Sequence, residues 1–171
     1  MKIAGHNGGM ESHPNVLAVQ AALANADART SAGDVPRMVV FDEGVHTAAA
    51  AAAALGVEVG QIANSLIFDA DGAPLLVLTS GAHRVDTRKV AAALGVAKLG
   101  RAKPEFVRLH TGQPIGGVAP VGHPKPVRTL VDTALAGYPE IWAAGGVPRA
   151  VFPITYAELL RVTGGSAADV A

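Results

Sequence analysis

The sequence contains no cysteine, and only 4% of its 171 residues are aromatic. Without cysteine the chain has no disulfide framework, no thiolate nucleophile and no cysteine-based zinc site. The scarcity of aromatic side chains argues against a platform that stacks RNA bases. No run of about 18 or more strongly apolar residues occurs, and this excludes a membrane-spanning helix. The first twelve residues lack the apolar centre of a secretory signal, so we expect a cytoplasmic protein that binds no membrane.

Familiar catalytic signatures are also absent. Ser80 lacks the preceding glycine of a nucleophile elbow, and the chain holds neither a phosphate-binding loop nor a dinucleotide fingerprint. Its six histidines share no spacing typical of metal ligands, so we expect no metal site. Any catalysis must therefore work without an obvious nucleophile.

The composition is that of one globular domain. Half of the residues are hydrophobic, and the length allows a sizeable core but leaves little room for a second domain. Residues 1–12, which include three glycines and show no periodicity, are expected to form a flexible leader. We expect residues 13–171 to form the single domain.

The zero net charge conceals a basic segment. Between Arg84 and Arg128 lie nine basic residues and two acidic ones, a net charge of +7. Such a segment is either a phosphate-facing surface or a set of solvated helix faces. We take Arg84, Arg88 and Lys89 as candidate contacts for the phosphates of a nucleic acid. DNA is not an expected partner.

Local patterns predict a mixed α+β fold. The strongest signal is a β-hairpin, in which residues 65–68 and 75–79 flank a turn at Asp71-Gly72. Helices are predicted from capping residues and glycine stops at 47–55, 86–94 and 155–162, and from proline starts at 14 and 104. Further strands are predicted at 37–41, 127–131, 141–143 and 151–154, and Pro153 suggests that the last lies at an edge. The order lacks regular strand–helix alternation, which favours a mixed sheet with helices packed on it.

Two small-residue segments could bind a ligand. Gly116-Gly117-Val118-Ala119-Pro120 would let a substrate approach the backbone, whose N–H groups could bind an oxyanion. Alternatively, this segment is a structural bend. Trp142-Ala143-Ala144-Gly145-Gly146 could line a small pocket or could simply pack tightly in the core.

These two segments, together with Gln61–Phe68 and Thr155–Leu160, resemble the YbaK/EbsC family, which includes the editing domain associated with prolyl-tRNA synthetase. The resemblance spans residues 13–165, and the Gly-x-x-x-Pro segment is its most specific part. It implies a curled mixed sheet or partial barrel with surrounding helices. It also implies a free-standing aminoacyl-tRNA deacylase that needs no cofactor, and in such a protein Arg84, Arg88 and Lys89 become candidate tRNA-binding residues.

Carried onto this chain, the resemblance implies a catalytic site at Asn64, Gly116 and Gly117. It implies substrate binding by a second group, comprising Val118, Pro120, His123, Ala143, Ala144 and Gly145. One position departs from the family, whose characterised members carry lysine where this chain has Asn64. Asparagine offers only a neutral amide. Asn64 either positions ribose or water, or another basic residue such as Arg84 replaces the lysine, or the domain is a weak or inactive binder.

The expected function is hydrolysis of a mischarged aminoacyl-tRNA, with prolyl-tRNA synthetase as a candidate partner and tRNA-Pro carrying a small wrong amino acid as candidate substrate. The alternative is a non-catalytic module that binds an aminoacyl-adenosine-like ligand, tRNA or a synthetase. An unrelated esterase has no catalytic triad to support it.

Overall fold

The computed structural model describes residues 8–171 of the chain. It contains six α-helices and eight β-strands within this range. In chain order they are α1 (Gly8–Glu11), α2 (Pro14–Asn25), β1 (Val39–Val40), α3 (Ala48–Leu55), β2 (Ile62–Ala70), β3 (Ala73–Ser80), α4 (Thr87–Leu94), β4 (Leu99–Arg101), α5 (Pro104–Thr111), β5 (Arg128–Asp132), β6 (Ile141–Ala144), β7 (Ala150–Ile154), α6 (Tyr156–Thr163) and β8 (Ser166–Ala168). Short 3₁₀ helices precede β2 and follow β5.

All eight strands belong to one mixed sheet, which confirms the predicted fold class. The strand order is β1-β7-β6-β2-β3-β5-β8, and β4 pairs with β2 beside this path. The pairs β2–β6, β3–β5 and β5–β8 are parallel, and the other pairs are antiparallel. The β2–β3 hairpin forms the centre, with eight paired positions.

The two faces of the hairpin are covered by different helices. On one face, Leu75 and Val77 pack with α4 in an apolar cluster that also contains Val90. On the other face, Leu76 and Leu78 join the largest core cluster, to which α2 and α6 contribute. Alternation of side chains along each strand therefore buries both sides of β3.

The predicted helix ends are confirmed. Thr47, Asp86 and Thr155 accept hydrogen bonds from the first turns of α3, α4 and α6, and left-handed Gly56 and Gly95 end the first two of these helices. Glu158, at the third position of α6, does not complete a reciprocal capping box with Thr155. The Glu158 carboxylate accepts a hydrogen bond from the Arg29 N–H and pairs with Arg161 instead.

Three features differ from the sequence prediction. The short strands β4 and β8 carried no recognisable pattern. Strand β7 is not an edge strand, because β1 pairs with it at Ala150 and Val151. Pro153 lies beyond the end of this pairing, where the missing N–H costs no ladder bond to β1. Of the predicted leader, residues 1–7 lie outside the described range, and Gly8–Glu11 form one helical turn.

None of the helices between residues 8 and 171 is long and apolar enough to cross a membrane.

Candidate active site

A cleft opens where two parallel strands separate. Strands β2 and β6 pair only at Ile62–Trp142 and Ala63–Ala143. Beyond this point β6 leaves β2 and turns back toward β7. Strand β2 continues, and β4 pairs with the edge of β2 that β6 has left, from Phe68 onward. Residues 64–67 therefore have no strand partner on that edge. Ligands commonly bind where neighbouring parallel strands diverge at their carboxyl ends.

The cleft contains about 540 Å³ of empty space, part of which is open to solvent. It is lined by the start of α3 and the loop before it, by β2, by the glycine-rich loop after α5, and by β6, β7 and the turn between them. Five of the residues predicted for the site share this lining, namely Asn64, Gly116, Val118, Ala143 and Ala144.

Asn64 lines the cleft, and its side-chain amide has no protein partner in the described range. It is exposed, and its side chain forms no hydrogen bond with any residue in the described range. Arg84, considered as a substitute for the missing lysine, is exposed but does not line the cleft.

The two adjacent glycines of the loop have different environments. Gly116 is exposed in the cleft and has φ = +89°, a backbone conformation that favours glycine. Gly117 is buried, and its N–H donates to the Pro114 carbonyl over 3.0 Å. A Cβ at position 117 would lie 2.7 Å from the Val147 carbonyl carbon. The N–H of Gly117 is therefore engaged within the turn, and of the two glycines only Gly116 has its backbone exposed in the cleft. Contact of either N–H with a substrate stays a prediction.

Two side chains hold the glycine-rich loop at Ala119. The buried amide of Gln113 accepts a hydrogen bond from the Ala119 N–H over 2.7 Å. The Nε2–H of His123 donates to the Ala119 carbonyl, also over 2.7 Å. Burial lowers the pKa of His123, and the bond to Ala119 offsets part of this effect. His123 and Pro120 do not line the cleft, and the ring of His123 supports the loop. Their contact with substrate stays a prediction.

Small residues form the apolar wall of the cleft. Ala63, Ala143 and Ala144 lie at the end of the β2–β6 pairing. Gly145, also predicted to bind substrate, is buried outside the lining and donates its N–H to the Ala150 carbonyl over 2.7 Å. A Cβ at Gly145 would approach Met38 Sδ to 2.8 Å, so close packing of the turn explains this glycine.

The candidate tRNA-binding residues lie at α4, outside the cleft. Arg84 and Arg88 are exposed and form no ion pair with any residue from 8 to 171. Lys89 is already engaged, because its ammonium donates to Asp169 over 2.6 Å and to the Ala171 carbonyl over 2.9 Å. The geometry therefore favours the two arginines over the lysine as contacts for phosphate.

Three residues that line or support the candidate site were not predicted from the sequence. Gln113 had no local signal, because its role depends on contacts made six and eight residues away. His46 lines the cleft just before α3. In the sequence, this region was recognised only for Thr47, the N-cap of the alanine-rich helix. Ser65, also in the lining, has a buried hydroxyl that finds no hydrogen-bond partner among the described residues. Such a hydroxyl needs water or a ligand to satisfy it.

No group of three or more potential metal ligands occurs among residues 8–171. The cleft itself is lined by one histidine and no carboxylate. This donor set does not fit a metal centre.

Comparison with known proteins agrees with the geometry of the cleft. A family model described as the aminoacyl-tRNA editing domain matches residues 42–162. A proline–tRNA ligase of Nitratidesulfovibrio vulgaris is 37% identical over 94 residues, which are 55% of this chain and 16% of the ligase. The chain thus spans about a sixth of the length of that ligase. The uncharacterised protein YwhH of Bacillus subtilis is 29% identical over 120 residues, 70% of this chain and 76% of YwhH.

Two solved structures share the fold over most of the chain. One, described as a candidate trans-editing enzyme for prolyl-tRNA synthetase, has a TM-score of 0.83 and 43% identity, covering 92% of this chain and 97% of its own. The hypothetical protein APE2540 has a TM-score of 0.78 and 28% identity, covering 90% and 98%. The family match covers most of the chain and includes every residue that lines the cleft, so this protein belongs to the aminoacyl-tRNA editing domain family.

Proposed function

We propose that this protein is a trans-editing deacylase that hydrolyses the ester bond of a mischarged aminoacyl-tRNA, with tRNA-Pro carrying a small non-cognate amino acid as its substrate. The observation that carries the proposal is the cleft at the end of the β2–β6 pairing. It joins the free amide of Asn64, the exposed backbone of Gly116 and a wall of small apolar residues. Family membership and the related proline–tRNA ligases support the choice of substrate.

The chemistry requires placement more than a reactive side chain. Water adds to the ester carbonyl, the bond to the ribose oxygen then breaks, and the products are the free amino acid and uncharged tRNA. Holding water and ester in a reactive geometry can lower the barrier by about 7–11 kcal/mol. A backbone N–H directed at the developing oxyanion contributes about 3 kcal/mol more. Gly116 is the candidate donor, and the Asn64 amide is placed to orient the ribose or the water.

The size of the amino acid is set by the alanine wall. Ala63, Ala143 and Ala144 leave room for a small side chain and offer it no charged or hydrogen-bonding side-chain group. Apolar pockets discriminate one methylene by only about 1–3 kcal/mol. Synthetases therefore need a second site to reject small wrong amino acids, and a cleft of this kind could supply it.

The tRNA body would approach over α4. Asn64 pairs directly with Thr79 and Leu66 with Val77, so these side chains share one face of the hairpin. Helix α4 covers the same face, because its Val90 packs in one cluster with Val77. Arg88 on α4 and Arg84 just before it could therefore contact acceptor-stem phosphates while the charged end enters the cleft. Prolyl-tRNA synthetase is the proposed source of the substrate, and the cytoplasm the proposed location.

A deacylation panel tests the proposal. Purified protein is incubated with tRNA-Pro charged with alanine, cysteine, serine or proline, and loss of each amino acid is compared with spontaneous hydrolysis. We expect faster loss of at least one small non-cognate amino acid and little effect on proline. Binding of charged tRNA without any acceleration would instead favour the non-catalytic binding module.

A further inference from the structure

The cleft is almost devoid of ionisable groups. Of the 18 residues that line it, His46 alone has a side chain of the general acid–base type. We propose that His46 is the catalytic proton carrier of the site, and that it takes a proton from the water that attacks the ester. This inference rests on the proposed deacylase function.

The position of His46 is fixed by its neighbours in the chain. Val45 donates its N–H to the Pro148 carbonyl over 3.1 Å and thereby ties the loop to the β6–β7 turn. On the other side, the Thr47 side chain accepts a hydrogen bond from the Ala50 N–H over 3.0 Å and caps α3. Because both neighbours are anchored, the backbone at His46 is held in place, and a catalytic group requires such a fixed position.

Two glycines place the imidazole inside the cleft. A Cβ at Gly44 would lie 2.9 Å from His46 Nε2, so the ring packs against the bare backbone there. On the other side, a Cβ at Gly116 would lie 4.0 Å from His46 Nδ1. The ring therefore stands beside the glycine whose N–H we propose as oxyanion donor. A substrate carbonyl bound at Gly116 would have the imidazole as its neighbour.

The imidazole is not committed to another partner. His46 is exposed and forms no hydrogen bond or ion pair with residues 8–171, so neither ring nitrogen is held by a protein partner in the described range. Charged residues occur on its own loop, at Asp42 and Glu43, on the β6–β7 turn, at Arg149, and near the far end of β2, at Asp69. Arg149 donates its Nε–H to the Phe41 carbonyl over 2.9 Å.

The proposed reaction balances without a further reactant. The neutral imidazole accepts one proton from water as the water oxygen bonds to the ester carbonyl carbon. The resulting tetrahedral intermediate then loses the ribose oxygen, which takes the proton back from the imidazolium. Histidine suits both steps because it gains and loses a proton between about pH 5 and 8.

The test compares wild type with His46→Gln and His46→Ala on the best substrate of the deacylation panel. Each pH point between 5.5 and 8 (about the histidine range) is corrected for spontaneous hydrolysis. We expect His46→Gln to lower kcat about 100-fold or more, with little change in KM. The rise of wild-type kcat with pH should be lost in this variant, and added imidazole should restore part of the activity of His46→Ala.

A matched control is His110→Gln, since His110 packs on Phe106 in α5 and does not line the cleft. It should leave kcat and its pH dependence unchanged. Wild-type-like kcat in His46→Gln, or a loss that neither alters the pH profile nor responds to imidazole, would overturn the assignment. If wild type itself accelerates no hydrolysis in the panel, the deacylase proposal fails instead, so the two failures are distinguishable.

Discussion

Ala63 on β2 and Ala143 on β6 are the last paired residues of two parallel strands, and the cleft begins where their pairing ends. Both side chains are almost fully buried and small. The two alanines therefore belong both to the hydrophobic core and to the apolar wall of the cleft. The candidate site is a consequence of the sheet topology, into which the glycine-rich loop and the start of α3 project.

Replacing Asn64 separates binding from turnover. If its amide orients ribose or water, Asn64→Ala should lower kcat about tenfold or more, because a positioned polar group acts mainly in the transition state. The affinity for charged tRNA should change little. Single-turnover deacylation and filter binding would measure the two quantities. The exposed Asn25→Ala, at the end of α2, is a matched control.

Asn64→Lys addresses the departure from the family pattern. A lysine at this exposed position adds a charge that can bind phosphate or stabilise an oxyanion, so we expect tighter tRNA binding and at least wild-type turnover. Equal activity of wild type, Asn64→Ala and Asn64→Lys would remove this residue from the site.

Gly116→Ala should impair catalysis at a modest cost in stability. At φ = +89° an L-residue is strained by about 1–2 kcal/mol. The strain is relieved by turning the peptide groups on either side of position 116, and this would misdirect the N–H that we propose as oxyanion donor. We expect kcat to fall by about 100-fold, while urea unfolding shows only the small stability loss.

Gly137→Ala provides the control for Gly116→Ala. No atom lies within 4 Å of a Cβ at Gly137, its backbone needs no positive φ, and it lies outside the cleft. This variant should retain both stability and activity. A Gly116→Ala protein with normal kcat would contradict the role of the loop backbone.

The sequence predicted most elements because their signals are local. Thr47 and Gly56 bracket α3, and Asp71-Gly72 turns the hairpin, so each boundary depends on residues a few positions apart. Strands β4 and β8, of three residues each, are defined only by their pairing with distant strands. No periodicity can develop over so short a segment.

The site was predictable only in part, for a similar reason. Family resemblance pointed to Asn64 and Gly116, but it could not distinguish Gly116 from Gly117. That distinction depends on the turn bond to Pro114 and on the approach of Val147 from another strand connection. Likewise, His123 follows the motif directly, yet its ring turns inward to Ala119. Direction and burial are set by tertiary packing, which motif spacing does not encode.

Charge reversal at α4 tests the proposed path of the tRNA. Arg84→Glu combined with Arg88→Glu should weaken tRNA binding and flatten its dependence on salt. Each lost phosphate contact reduces the slope of log K against log salt by about 0.7–0.9. Lys89→Glu should affect binding less, because Lys89 is paired with Asp169 in the free protein.

Arg37→Glu, exposed on the loop before β1, is the control for long-range charge. It should change affinity only slightly and leave the salt slope as in wild type. If the double variant at Arg84 and Arg88 also keeps the wild-type slope, these two arginines belong to a solvated helix face.

The hydrogen bond from the part-buried His123 ring to the Ala119 carbonyl predicts that the stability of the protein depends on pH. Burial lowers the pKa of His123 in the folded protein, so the unfolded chain gains the proton first as the pH falls. The stabilisation from neutral His123 is present above the ordinary histidine pKa, about 6.5. It is lost as the pH falls below this value toward the lowered pKa of His123 in the folded protein.

The variant His123→Gln keeps an amide that can donate to the Ala119 carbonyl but does not titrate. Urea unfolding at pH 7.5 and 5.0 (about one unit or more on either side of that pKa) should therefore show a larger loss of stability for wild type than for His123→Gln. Equal losses in the two proteins would mean that protonation of His123 does not contribute to the pH dependence of stability.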